Sequence, residues 1–220
     1  GAAAGALARS DETTPLWAAA ADEAAVLRPL QRPAVVVTEH ERERLAHLGV
    51  NTLLTTRSPG PHTLSARTMM PDTNARSDWR YLSVRRLALF IEASILRGTR
   101  WALLERAGTG TWTRVRAQVE AFLEALDQEG AFVGSSAAES YFVICDDRLN
   151  GLQGGTPGAF RLLYGFAALR PGEFRAFLVT HKAALSSASQ VSVNRLFTAE
   201  RRVEEEIQTA ILQGIGGGHE

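Results

Sequence analysis

Few residues in this 220-residue chain could do chemistry, and their spacing mostly argues against it. His40-Glu41 opens like a zinc-protease helix motif, but the next histidine is His47, seven residues on rather than four. Two rings so spaced cannot share a zinc ion. Gly108-Thr109-Gly110 leads toward a helix, yet it lacks the Gly-Lys-Ser/Thr of a phosphate loop and the third glycine of a dinucleotide fingerprint. Asp146, Asp147 and Asn150 could gather around a cation. Their spacing is not that of a calcium loop, and Asp and Asn side chains that bond nearby amides are the expected use. Cys145 precedes them with no histidine positioned to activate it, so it reads as small core filler. No Gly-x-Ser-x-Gly elbow surrounds any serine. No catalytic residue, cofactor-binding residue, cofactor or metal ligand is therefore expected.

The elements that carry these residues alternate irregularly. Residues 1–33 are Ala-rich and read as a lead-in, with a short helix at 22–30. A strand is expected at 34–37, and Thr38 with Glu41 has capping-box spacing for a helix that Gly49 stops. Strands at 51–57 and 62–69 flank a Pro-rich turn at 58–61. The apolar spacing predicts a buried helix from Trp79 to Gly98, a strand over 101–105, and a helix capped by Thr113 that runs to Gln128 and ends at Gly130. A strand at 141–145, a Gly-rich loop at 146–158 and a hairpin of 160–169 with 174–179 around Pro171-Gly172 follow. Residues 182–220 read as a linker and then a helix at 198–212, with Val203, Ile207 and Ile211 beside Glu204, Glu205 and Glu206. The class is α/β or α+β: a mixed sheet flanked by helices, one core domain at 34–181, and a C-terminal helical tail.

Composition limits the partners. Twenty-four basic and 24 acidic residues cancel, so no global field favours nucleic acid or an anionic membrane. Lys182 is the only lysine; arginine suits carboxylate contacts at interfaces, although an Ala- and Arg-rich genome gives the same bias. A single cysteine excludes an internal disulfide, and no apolar run reaches the roughly 20 residues that span a bilayer. The chain begins without Met, as a fragment or a processed product would.

An ordered set of short motifs points further. Ala66-Arg67-Thr68 precedes Trp79-Arg80-Tyr81 and Val84-Arg85-Arg86, and Trp101, Trp112 and Phe122 follow. Tyr141-Phe142-Val143-Ile144-Cys145-Asp146 comes next, then Asn150. This order and spacing resembles the C-terminal half of contractile-tail sheath proteins, found in phages and in phage-derived injection particles. Weaker likeness extends the match to about residues 5–181, through Ala8, Arg9, Asp11 and Trp17 upstream and Arg170-Pro171 with Glu173-Phe174 downstream. The family's larger N-terminal region is missing, and residues 182–220 continue past its usual last strand.

The resemblance implies a sheath C-terminal-type domain. It implies a structural, non-enzymatic subunit that polymerises helically around an inner tube and contracts to drive the tube through a target envelope. It implies strand exchange between subunits, carried by Phe174, Arg175, Phe177 and Val179, and a partner-binding tail at Val203, Ile207 and Ile211. Its implied partners are copies of itself, the inner tube protein, and baseplate and tail terminator proteins, with no nucleic acid and no membrane insertion. The implied setting is a virion tail or an extracellular injection particle, assembled in the bacterial cytoplasm. A baseplate or cap adaptor, and an α/β enzyme, remain the alternatives.

Overall fold

The computed structural model describes residues 2–18, 35, 37–55, 61–63, 67–69, 78–151, 159–182 and 186–191. The expected helices at 22–30 and 198–212, and most of the turn at 58–61, lie outside them. The chain divides into two compact units, Gly1–Phe90 and Ile91–Glu220, at a boundary that the sequence analysis did not mark.

The first unit contains helix α1 (Ala2–Asp11), helix α2 (Glu39–His47), and the short antiparallel pair β1 (Leu53–Thr55) and β2 (Pro61–Thr63). The Ala-rich start, expected to be irregular, is thus helical. Val35 and Val37 are not in a strand. Helix α2 forms where its caps dictate. The Thr38 amide donates to Glu41 Oε2 (2.9 Å), and the Glu41 amide donates to Thr38 Oγ1 (3.4 Å). These bonds, led by the one from the Thr38 backbone, hold the Glu41 carboxyl below its ordinary value. At the other end Gly49 (φ +76°) takes the left-handed position, and the Val50 amide reaches back to Leu45 O (2.9 Å). A Cβ on Gly49 would also meet the Met69 backbone at 2.9 Å, so the residue serves twice.

A 3-10 turn (Asp78–Arg80) leads into helix α3 (Leu82–Gly98), which crosses the boundary between the units. Val84, Leu87, Ala88, Ile91 and Ile95 are its buried stripe. A 3-10 helix (Arg100–Leu104) then stands where a strand was expected. Helix α4 (Thr109–Gln128) is capped at Gly108, five residues before the expected Thr113 cap, and ends as expected before Gly130. Short helices α5 (Ala137–Ser140) and α6 (Asp147–Asn150) flank strand β3 (Tyr141–Ile144). Strands β4 (Ala159–Ala167), β5 (Phe174–Lys182) and β6 (Ser186–Val191) complete the second unit. The sheet runs β3-β4-β5-β6, antiparallel throughout, so the fold mixes α and β with an open sheet of four strands among the described residues. Strand β6 corrects the linker reading of residues 183–190: Ser186 to Val191 pair with β5 from His181 to Ala176.

Alternation assigns the two faces of this sheet. Phe160, Leu162, Tyr164 and Phe166 lie on one face of β4 with Phe177, Val179 and His181 of β5. Phe132, just past α4, stacks on Phe166 at 5.4 Å, and Tyr164 stacks on Phe177 at 5.4 Å. The other face gathers Ile144, Leu163 and Ala176 under Leu149 of α6, with Phe142, Leu178 and Val191 packed against them. Burial on both faces explains why β4 reads as a continuous apolar run rather than an alternating one.

Gly165 of β4 lies opposite Phe142 of β3, and a Cβ there would sit 2.3 Å from the Phe142 ring. The ring covers the space a side chain would fill. Gly165→Ala is expected to push Phe142 off its T-shaped contact with Phe174 (5.2 Å) and to destabilise the fold by about 1–3 kcal/mol, read by denaturant unfolding.

Candidate assembly surface

The residues that could have done chemistry are tied into structure. Cys145 is buried, and its thiol points to the Arg161 carbonyl at 3.8 Å. Burial, aided by the Asp146 charge, pushes its pKa up to about 12, so it stays a thiol at neutral pH. Asp146 caps α6 by accepting from the Arg148 amide (3.1 Å) and also pairs with the Arg148 guanidinium. His40 and His47 are exposed at opposite ends of α2. No group of three or more potential metal-binding side chains occurs among the described residues. No helix of the described residues is long and apolar enough to cross a membrane.

Asn150 has a different use from the one its spacing suggested. Its side-chain amide lies along the β4 backbone, donating to Arg161 O (2.8 Å) and accepting from the Arg161 amide (2.7 Å). A third bond goes to Asp146 O (3.2 Å). The carboxamide thus replaces one residue of a neighbouring strand and holds α6 against β4.

The first unit repeats the device. Asn51 donates to Arg67 O (2.8 Å) and accepts from the Arg67 amide (2.9 Å). From that point the chain is stitched onward. Arg67 bridges to Tyr81, the Thr68 amide donates to Arg80 O (2.8 Å), and the Thr68 hydroxyl donates to Trp79 O (2.8 Å). Arg85 lies over the Trp79 ring at 5.4 Å, and Arg86 pairs with Asp11 at 2.5 Å. The Arg-Thr, Trp-Arg-Tyr and Cys-Asp…Asn motifs that carried the resemblance are therefore joints of the fold. In the second unit Trp101 is held similarly: Arg114 stacks over it at 4.8 Å, and its indole donates to Gln118 (2.9 Å).

Among the described residues, two surfaces are suited to a partner. One is the outer edge of β6, which pairs with nothing beyond β5 among the described residues. The other is apolar and lies in the first unit. Leu48 (67% exposed), Val50 and Met69 (90%) surround the close crossing of Gly49 over the Met69 backbone. Exposed apolar side chains clustered in this way mark interaction surfaces.

The residues expected to exchange strands all lie on β5, which is paired on both edges within its own sheet. Phe177 is 3% exposed and Val179 fully buried, with their side chains in the core; Phe174 and Arg175 are half-buried. Substituting Phe177 therefore tests folding before it tests assembly. Val203, Ile207 and Ile211 lie outside the described residues.

No family model matches the chain, and no curated protein matches it. Solved structures do. The fold is similar to a chain in the cryo-EM structure of the anti-feeding prophage (AFP) baseplate, with TM-score 0.65 and 29% identity, over 76% of this chain and 46% of that one. It is also similar to a chain of the PVC sheath complex of an extracellular contractile injection system in its contracted state. There the TM-score is 0.62 and the identity 25%, over 90% of this chain and 50% of the other. The protein is thus structurally similar to components of contractile injection systems, and it spans about half the length of the chains it matches.

Replacing Asn150 with Ala removes the two side-chain bonds that clamp the Arg161 amide and carbonyl. The expected result is a loss of about 1–3 kcal/mol of stability and faster labelling of Cys145 by a thiol reagent in native buffer. Unchanged stability together with unchanged labelling would show that the clamp does not hold α6 to β4.

Proposed function

We propose that this chain is a structural subunit of a contractile-system sheath. It polymerises helically around an inner tube and contracts to drive that tube through a target envelope, making and breaking no covalent bond. The single observation that carries the reading is the match to a chain of a sheath complex over 90% of this chain. The ordered sequence motifs support it independently. The partners that follow are copies of itself, the inner tube protein, and baseplate and terminator proteins, in a virion tail or an extracellular injection particle assembled in the bacterial cytoplasm. Neither nucleic acid nor a membrane is needed, and no cofactor.

The physics of such a lattice suits the surfaces described. A head-to-tail contact is heterologous and builds an open helix rather than a closed ring. Backbone pairing at an unprotected sheet edge gives affinity without a deep pocket. The edge offered here is β6, with Phe174, Arg175, Phe177 and Val179 of β5 as the strand behind it. The apolar cluster of Leu48, Val50 and Met69 is a second contact of the same kind, and the tail residues Val203, Ile207 and Ile211 are a candidate third. Subunits that stay linked while rotating can pass from a metastable extended lattice to a lower-energy contracted one.

A baseplate or cap adaptor is the second reading, favoured by the match to a baseplate chain at the higher identity of 29%. Both readings require assembly through exposed side chains. Leu48→Glu combined with Met69→Glu is expected to leave the monomer within about 0.5 kcal/mol of its original stability. It is expected to abolish tubes in a host that makes the whole particle, as seen by negative-stain microscopy. Tubes of normal length built from the double variant would contradict a role for this patch.

A further inference from the structure

His181 is a titratable group buried in the sheet. It is fully buried on β5, stacked on Phe160 at 6.0 Å. Its Nε2 lies 2.7 Å from Thr99 Oγ1, and its Nδ1 lies 2.8 Å from Ser186 Oγ. The protons can be assigned. The Thr99 hydroxyl donates its one proton to Ile95 O (2.6 Å), so towards the ring it can only accept. Nε2 therefore carries the hydrogen, and the bare Nδ1 of the neutral ring accepts from the Ser186 hydroxyl. Ser186 is the first residue of β6 and the register partner of His181. The ring thus ties the edge strand to the helical layer through two hydroxyls.

Among the described residues, protonation has no counter-charge to meet. Arg100, on the 3-10 helix, is the charged group that bears on the ring, and it repels the imidazolium. On β4 the ring faces Phe160, while the neighbouring Arg161 lies on the opposite side of the sheet. Lys182, next on β5, also points to that other side and is exposed. On β6 the contact is a serine, and the α3 end presents Thr99. Burial first, and Arg100 second, hold the pKa of His181 below its ordinary value.

An imidazolium here must reach water, and the least costly route is local. Strand β6 reads Ser-Ser-Ala-Ser-Gln-Val, has no fully buried residue, and among the described residues pairs on one side only. Lifting it uncovers Nδ1, whereas hydrating the ring from the other side would disrupt Phe160 and the 3-10 helix. Edge elements with few buried side chains open at the low end of the stability range.

We infer that His181 is an acid-sensitive latch for β6: the neutral ring holds Ser186 and with it the edge strand, and protonation releases the strand and bares the outer edge of β5. The inference stands on the geometry of the second unit and does not depend on the sheath reading. The sign follows from linkage. The latched state binds the proton more weakly than the opened state, so latching is complete above the ordinary histidine value near 6.5 and is lost as pH falls below it.

The test is amide hydrogen exchange of the native chain between pH 7.5 and 5, corrected for the intrinsic pH dependence of exchange. Protection of residues 186–191 is expected to fall by up to about tenfold per pH unit below 6.5, while β4 stays protected. His181→Gln keeps an N–H for Thr99 but does not titrate, so its β6 protection is expected to be flat across the same range. Ser186→Ala leaves the core intact and is expected to lower β6 protection at pH 7.5. Three results would overturn the latch: pH-independent protection of β6 in the unaltered chain, β6 and β4 losing protection together, or His181→Gln showing the same pH dependence.

Discussion

Strand β4 is buried along nearly its whole length and on both faces, and this sets where the rest of the second unit can go. A strand with no wet face needs cover on each side and partners at both edges. The partners are β3 and β5. One cover is the aromatic stack of Phe132, Phe166, Phe177 and Tyr164, with the 3-10 helix packed on β4 and β5. The other is Leu149, brought onto Leu163 and Ala176 by a helix only four residues long. So short a helix cannot hold itself by its own hydrogen bonds. Asn150 supplies what it lacks by bonding both backbone groups of Arg161.

The same logic separates the joints of the molecule from its contact surfaces. Asn51 does for Arg67 in the first unit what Asn150 does for Arg161 in the second. In each case a carboxamide, with one donor and one acceptor side by side, bonds both backbone groups of a residue that is bridged to another segment, Arg161 to Thr180 and Arg67 to Tyr81. The motifs that carried the resemblance to sheath proteins lie in such joints. What faces outward is instead a polar edge strand and a few apolar side chains around Gly49. An assembly subunit is expected to look like this, since a lattice places its contacts on surfaces and leaves the core to position them.

Local chemistry was legible in the sequence. The Thr38–Glu41 box, the glycine stops at Gly49 and Gly130, and the hairpin at Pro171-Gly172 depend on neighbours within a few residues, and each stands where its pattern placed it. Long-range devices were not legible. Nothing near Asn51 or Asn150 announces a partner 16 or 11 residues away. The apolar run Trp101 to Leu104 fits a strand or a tight helix equally well by periodicity, and packing on β4 and β5 decided for the helix. Strand β6 has no apolar alternation to read; its register comes from β5 and from His181. Phe174, Arg175, Phe177 and Val179 were assigned to strand exchange by the resemblance; in this chain the side chains of Phe177 and Val179 are buried, and β5 is paired on both edges.

The central claim is that the chain is a repeating subunit along the length of a tube. Negative-stain microscopy of particles from the source, labelled with an antibody against this chain, tests it most directly. A sheath subunit predicts striated tubes labelled along their whole length, both extended and contracted. Label confined to tube ends, or tubes that carry none, would contradict it.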